Sequence, residues 1–244
     1  MFAVVFFLAY VGMLAVTQAL AHWKRARDPS VPRLPRRLTH RHLARFAGRQ
    51  VLFVAVLAFA WSRGEWSLES VGIPRSIRWL ETILAGEIGF LAVILANLLV
   101  LWLARALPAM RLVAARGNLR VWPRGRAAKI VAAVFIMGFN PFVEELVMRG
   151  VLIHQWGAML GSPAIPIGVG FFLNAALHWY QGWRMQLWHA QFFAVAVLLL
   201  YSPWGLPAAM VAHVFGDVLP LMLLGRNLKR AHAARRRTLR ARTS

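Results

Sequence analysis

The sequence predicts an all-α protein, a polytopic bundle of about seven transmembrane helices, or eight. Of its 244 residues, 59% are hydrophobic, and the mean hydropathy is +0.56. An ordinary soluble domain is only about 45–50% apolar. The charged residues lie in blocks, separated by apolar runs that are long enough to cross a hydrocarbon layer of roughly 30 Å. Since backbone groups must be satisfied inside that layer and the runs exceed strand length, we predict helices.

The apolar runs give the predicted spans in order. The first lacks a basic segment before it and is followed by positive charges, so we interpret it as a span and not as a signal peptide. The second is the weakest, because Arg49 must extend toward the interface if this helix begins near Phe46. The runs lie at residues 2–21, 46–61, 82–104, 130–158, 164–180, 187–201 and 205–224.

Three basic blocks set the predicted topology. Residues 22–50 carry nine of the 29 Lys and Arg residues, residues 105–129 carry seven without one acid, and the tail from Arg226 carries eight. Positive charge beside spans stays on the cytoplasmic side, so we expect the N-terminus outside and the C-terminus inside. Such blocks attract anionic lipid head groups. We expect no nucleic-acid partner, because no aromatic-interleaved binding module accompanies the charge.

The segment between the second and third runs, residues 62–81, has mixed charge and lies outside in this topology. Its apolar side chains predict a short interfacial helix. The residues concerned are Trp66, Ile73, Ile77, Trp79 and Leu80.

Three predicted spans each carry a pair of polar residues four positions apart, which places both on one helical face. The pairs are Glu145 with Arg149, Asn174 with His178, and His213 with Asp217. Ionisable groups at membrane depth cost several kcal/mol and normally face the bundle interior, so we expect the three helices to converge on one polar pocket.

The stretch FNPFVEELVMRG adds a second carboxylate next to the first pair. Glu144 is rotated by about 100° from Glu145 and can point elsewhere. A buried pair of Glu145 and Arg149 that only fixes helix packing would explain those two residues, but it leaves Glu144 unexplained. We predict structural roles for His154 and His189, which lie nearer span ends. The absence of cysteine excludes disulfides, thiolate metal sites and a cysteine nucleophile.

These motifs resemble those of the CPBP or Abi family, which contains the CAAX prenyl endopeptidases and bacteriocin-processing enzymes. The family's Glu-Glu pair followed by Arg is matched by EELVMRG at residues 144–150. Its second motif ends in a histidine, matched by His178, and its third is His with Asn or Asp four residues later, matched by His213 and Asp217. The three motifs agree in order and spacing over about residues 130–224.

Two positions depart from the family pattern. An aromatic residue usually stands four positions before the second-motif histidine, where this chain has Asn174. Asp217 stands where many members have Asn. Because an ionised Asp cannot donate a hydrogen bond, we expect Asp217 to orient His213 and not to bind an oxyanion.

The resemblance implies an intramembrane endopeptidase of the glutamic type, without a cofactor. Glu144 would activate a water with the help of His178, and His213, oriented by Asp217, would stabilise the oxyanion. Glu145 and Arg149 would hold their helix in place, with Asn174 supporting the site. The implied partner is a peptide or protein substrate in the membrane, processed in the CAAX manner, as a bacteriocin or at a C-terminal sorting tail. We expect the plasma (inner) membrane of a prokaryote.

The resemblance also divides the chain. Residues 1–129 are predicted to form N-terminal transmembrane helices with basic cytoplasmic loops. Residues 130–224 are the predicted catalytic core, and residues 225–244 are a basic cytoplasmic tail.

Three alternatives stay open at this point. Two His and one Glu are a familiar zinc set, so a zinc-dependent protease is the rival chemistry, although the sequence has no HExxH motif. A non-catalytic membrane scaffold or immunity-type protein of the same fold would keep the polar cluster as a structural element. A small transporter is disfavoured, because no symmetric repeat is found in the sequence.

Overall fold

The computed structural model describes residues 1–27, 40–105, 134, 138–178 and 183–218, and this part of the chain is all-helical, with no strand. It contains seven helical segments. They are α1 (Phe2–Arg27), α2 (His40–Ser62), α3 (Trp79–Arg105), α4 (Asn140–Glu145, Leu146–Gln155 and Trp156–Leu160), α5 (Ala164–His178), α6 (Trp183–Leu200) and α7 (Gly205–Val218). Each predicted apolar run overlaps one of them, so the prediction of an all-α fold is confirmed.

The fourth helix changes type along its length. It begins as an α-helix over Asn140–Glu145 with Pro141 in the first turn, where a missing N–H costs no hydrogen bond. It continues as a π-helix over Leu146–Gln155 and returns to α-helix at Trp156–Leu160. π-helical turns are rare and are frequently found at functional sites. The wider turn begins directly after the two adjacent glutamates.

The helices alternate in direction, and loop 63–78 joins their ends on one side of the bundle. The Glu65 carboxylate accepts the backbone N–H of Ala3 at 3.3 Å, and its carbonyl accepts Nε2 of Gln155 at 2.7 Å. The backbone N–H of Leu206 donates to the carbonyl of Gly72 at 2.8 Å. The start of α1, the last residues of the π-helical part of α4 and the start of α7 therefore meet here, at what we call the loop end. The opposite side is the site end.

Two groups of helices share the core. The first group packs α1 against α4 and α5, with α2 beside α1 and the start of α4. The second packs α3 against α6, with α7 contributing small residues between them. Gly86 of α3 permits this approach, because a Cβ there would lie 2.6 Å from Val211. A third cluster, with Ile153 and Phe193, connects the two groups across α4 and α6.

The outward faces of the helices are apolar. Along α3, the side chains of Ile88, Leu95 and Trp102 recur every seven residues and are each 65% exposed. A contiguous apolar face of this kind is unusual on a soluble monomer and matches a lipid-facing surface. These apolar helices are compatible with an integral membrane protein.

The described helices support the predicted number of spans only in part. Two stretches are long and apolar enough to cross a membrane, Phe2–Leu20 and Trp79–Val100. Four other apolar helices have 10 to 17 residues, and the seven-span count is not confirmed. The shorter helices are Ala47–Ser62, Ala164–His178, Gln186–Leu200 and Gly205–Val218.

The predicted interfacial helix in residues 62–81 is wrong. Only Glu69–Val71 forms a short 3₁₀ turn, and Val71 is fully buried in the first core cluster. The N–H of Trp66 donates to the carbonyl of Leu57 at 2.9 Å, so this indole turns toward α2. The loop folds into the end of the bundle, where the carbonyl of Gly72 approaches α7 so closely that a Cβ on Gly205 would collide with it.

The basic blocks fall largely outside the described residues. Residues 28–39 of the first block, residues 106–129 of the second and the tail at 225–244 are not among them. The predictions made for these segments, and the corresponding parts of the three-part division of the chain, stay predictions.

Candidate active site

Glu144 and His178 face each other at the site end. Glu144 lies in the first helical turns of α4, and His178 is the last residue of α5. Oε1 of Glu144 is 3.8 Å from Nε2 of His178, and about a quarter to a fifth of each side chain is exposed (24% and 21%). This separation exceeds a direct hydrogen bond. The two groups are therefore close, polar and accessible.

Glu145, Arg149 and His213 form a buried cluster beside them. Oε1 of Glu145 forms an ion pair with Nη1 of Arg149 at 3.1 Å and accepts a hydrogen bond from Nδ1 of His213 at 2.7 Å. The Glu145 and Arg149 side chains are 0% and 1% exposed. The guanidinium also lies over the ring of Phe193, at 5.0 Å from its centroid. The predicted pair of Glu145 with Arg149 is thus present, and Glu145 has a second partner on α7.

Asp217 is near His213 but does not hydrogen-bond to it. Oδ2 of Asp217 is 3.9 Å from Nε2 of His213, and the Asp217 side chain is 34% exposed. The imidazole packs against the ring of Phe192, with centroids 5.0 Å apart. The closer carboxylate, on the Nδ1 side, belongs to Glu145. Glu145 of α4 therefore orients the imidazole more directly than Asp217 of α7 does.

The two clusters form one site. Glu144 and Glu145 are adjacent, so their side chains leave α4 in different directions and meet α5 and α7. Glu144 lies near His178 of α5 and Glu145 contacts His213 of α7, so the adjacent glutamates connect the two clusters. Three helices thus bring their polar residues together, as the i, i+4 pairs predicted.

Three further residues belong to this site. Nδ2 of Asn140 donates to Oε2 of Glu144 at 3.1 Å, and Gln50 of α2 donates to Asn140. The ring of His189 stacks on His178 with centroids 3.9 Å apart and an interplanar angle of 15°. Asn140 precedes Glu144 by four residues, so the same spacing rule identifies it. Gln50 and His189 carry no such signal in the sequence.

His154 and Asn174 take different places. Nδ1 of His154 donates to the carbonyl of Ser70 at 2.8 Å, at the loop end and away from the site. The structural role predicted for His154 agrees with this position, whereas His189 lies against a predicted catalytic residue. Asn174 is buried, one turn before His178 on α5.

The arrangement of His, Asp and Glu side chains bears on the alternative of a zinc-dependent protease. Among the residues that the structure describes, no three His, Asp or Glu side chains are grouped so as to hold a metal ion. Arg149 lies against Glu145, where a guanidinium competes with a cation for the carboxylate.

One comparison with known proteins identifies the region that carries the site. Residues 126–219 match the family described as Type II CAAX prenyl endopeptidase Rce1-like, which covers less than half of the chain. No curated protein and no solved structure matches the chain. All the predicted site residues fall inside the matched range, and Gln50 falls outside it. Over residues 126–219, which carry the site, this chain is therefore similar to the CAAX prenyl endopeptidases, a family of membrane-embedded proteases.

Proposed function

We propose that the protein is an intramembrane glutamic endopeptidase that hydrolyses a peptide bond near the end of a membrane-associated substrate. The observation that carries this proposal is the separation of 3.8 Å between Oε1 of Glu144 and Nε2 of His178. A water bound between two polar groups can hydrogen-bond to both. A carboxylate and an imidazole at this separation suit general acid and base catalysis on that water.

The reaction follows from the positions of the polar groups. Glu144 takes a proton from the water while the oxygen of that water bonds to the substrate carbonyl carbon. That proton passes to the leaving amine, directly or through His178, when the C–N bond breaks. The oxyanion that forms in between needs a hydrogen-bond donor, and His213 is the nearest candidate on a third helix.

The donor atom of His213 is Nε2. A carboxylate only accepts hydrogen bonds, so Nδ1 carries the proton that is shared with Glu145. Donation from Nε2 to an oxyanion then requires the imidazolium form, with the carboxylates of Glu144, Glu145 and Asp217 as its counter-charges. Glu145 takes the positioning role that the family resemblance gave to Asp217 alone.

The position of the site within the bundle supports a cytoplasmic orientation for it. The site lies opposite loop 63–78, and the basic residues that end α1 and begin α2 lie at the same end as the site. We propose seven spans with the N-terminus outside, in the plasma membrane of a prokaryote, with cleavage accessible from the cytoplasm. Anionic lipid head groups bind the flanking basic segments in this arrangement.

The substrate class follows from the family. We propose a membrane-associated peptide or protein as substrate, with prenylated CAAX ends, bacteriocin precursors and C-terminal sorting tails as the candidates. A comparison of membrane peptides from cells with active and inactive protein identifies the cleaved bond.

The decisive experiment replaces Glu144 by Gln, which keeps the size of the side chain but cannot take a proton. Peptides of the three candidate classes are incubated with purified protein in lipid vesicles. We expect cleavage to fall by at least about 10²-fold, the lower end of what a general base contributes. Glu87→Gln is the matched control, because Glu87 is a second glutamate within a predicted span, on α3.

The vesicle assay and the comparison of membrane peptides together decide between the alternatives. Equal cleavage by wild type and Glu144→Gln contradicts the glutamic mechanism. Identical membrane peptides in cells with wild type, with Glu144→Gln and without the protein indicate a non-catalytic scaffold.

A further inference from the structure

A chain of two amide side chains connects α2 to the candidate base. Nε2 of Gln50 donates to Oδ1 of Asn140 at 2.5 Å, and Nδ2 of Asn140 donates to Oε2 of Glu144 at 3.1 Å. Gln50 and Asn140 are 3% and 9% exposed. The chain therefore runs through the interior from one helix to another and ends on the carboxylate oxygen that does not face His178.

The direction of these hydrogen bonds is dictated by the carboxylate. Ionised Glu144 can only accept, so Asn140 must turn its NH₂ group toward it. The Asn140 carbonyl then faces Gln50, which must in turn present its own NH₂ group. Gln50 thus fixes the orientation of the Asn140 amide, and Asn140 fixes the rotation of the Glu144 carboxylate.

We propose that Gln50 and Asn140 are positioning residues, which hold Oε2 of Glu144 so that Oε1 is directed at the water and His178. This inference rests on the proposed function, since it concerns how Glu144 acts as a base. Gln50 lies outside the residues that match the family, so it extends the site to the N-terminal part of the chain.

The Gln50 amide reaches Asn140 through one end. Its Oε1 is buried and has no hydrogen-bond partner among the residues that the structure describes. The hydrogen bond that this side chain makes there is the one from Nε2 to Asn140, and its effect on the Asn140 amide is what the tests below measure.

The first test is Gln50→Met, which keeps the length of the side chain and removes the amide. We expect kcat per folded molecule to fall on the order of tenfold, with little change in KM. A tenfold fall corresponds to about 1.4 kcal/mol in the barrier. Thermal stability in detergent should fall as well, because the buried Asn140 oxygen loses its donor. A merely structural residue would lower stability in the same way but leave kcat per folded molecule unchanged.

A matched control is available at the other end of the bundle. Gln155 is also buried, donates through Nε2 to a carbonyl and leaves its Oε1 without a partner in the described residues. Gln155→Met should lower thermal stability and leave kcat per folded molecule within about twofold.

The second test is a double-mutant cycle. If Gln50 acts only through Asn140, then Gln50→Met added to Asn140→Ala should cause no further fall in kcat, whereas independent residues would give multiplied effects. Gln50→Glu should be worse than Gln50→Met, since an acceptor at this position turns the Asn140 carbonyl toward Glu144.

The outcomes separate the inference from the proposed function. Wild-type cleavage that is lost in Glu144→Gln, combined with wild-type kcat in Gln50→Met, overturns the inference and leaves the protease intact. Multiplied effects in the double-mutant cycle overturn the action of Gln50 through Asn140. Full cleavage by Glu144→Gln, or none by wild type, removes the proposed function and the inference together.

Discussion

Nδ1 of His213 donates a hydrogen bond to Oε1 of Glu145 across the interface between α7 and α4, at 2.7 Å. The same oxygen forms an ion pair with Nη1 of Arg149 at 3.1 Å. Glu145 therefore connects the structural arginine to a residue of the candidate site. The two adjacent glutamates do not divide cleanly into one for chemistry and one for architecture, because Glu145 serves both.

We predict that Glu145→Gln lowers cleavage far more than Asp217→Asn. The carboxylate of Glu145 contacts His213 directly, while Asp217 is 3.9 Å away. Removing a carboxylate that orients a catalytic histidine costs on the order of 10²-fold or more, and we expect less than about tenfold for Asp217→Asn. The measurement is kcat/KM per folded protein for both variants. A larger loss in Asp217→Asn would restore Asp217 as the main orienting group.

Arg149→Ala should strongly reduce the folded yield. It leaves the Glu145 carboxylate buried without its arginine, and breaking such a pair costs about 3–5 kcal/mol. The double substitution Glu145→Gln with Arg149→Gln should recover part of the yield, because no unpaired charge is left. It should not recover cleavage, since His213 still lacks its carboxylate. Equal yields for wild type and Arg149→Ala would contradict the buried pair, and monodisperse protein after detergent extraction is the readout.

Chelators should leave cleavage within about twofold of the untreated protein, since the proposed water is activated by Glu144 and His178 and not by a metal. The assay compares treated protein, untreated protein and treated protein with added zinc. Activity that disappears with chelator and returns with zinc would replace the glutamic mechanism by the zinc-dependent one.

Gly205→Ala should destabilise the loop end. The backbone there has φ of 60°, and a Cβ would collide with the carbonyl oxygen of Gly72. Gly161→Ala is the control, because Gly161 also has positive φ, 68°, but has nothing within 4 Å of an added Cβ. The control should cost about 1–2 kcal/mol from backbone strain alone, and Gly205→Ala should cost more. Thermal unfolding of both variants in detergent measures the difference.

The topology can be tested with single cysteines in this cysteine-free chain. Ser67→Cys lies in loop 63–78, and Arg27→Cys lies at the end of α1, both at exposed positions. An impermeant thiol reagent should label position 67 from outside intact cells and position 27 only after the membrane is opened. Labelling of both positions from the same side would contradict a membrane crossing by α2, the helix between them, and with it the proposed topology.

The spacing of residues along single helices predicted much of the candidate site. The rest depends on contacts between helices, which the sequence does not show. The pair of Glu145 with Arg149 follows from four residues along one helix, and the same rule reaches from Asn140 to Glu144. It cannot reach Gln50, because that contact depends on how α2 packs on α4, 90 residues along the chain. It also cannot show that His189 stacks on His178, since nothing in the sequence fixes the register between α6 and α5.

The loop between α2 and α3 was predicted poorly for a related reason. Its apolar residues match an interfacial helix in composition, yet Val71 is buried next to Gly150, where an added Cβ would lie 3.1 Å from Val71. Gly150 on α4 and the close approach of the loop backbone at Val71 determine the path of this loop. Neither leaves a periodic pattern in the sequence.

Loop 63–78 connects three helices at the loop end. Its backbone and side-chain groups hydrogen-bond to α1, α4 and α7, so separating these helices there breaks contacts to a further segment. A substitution that displaces this loop, such as Gly205→Ala, therefore acts on three helices that are distant from one another along the chain.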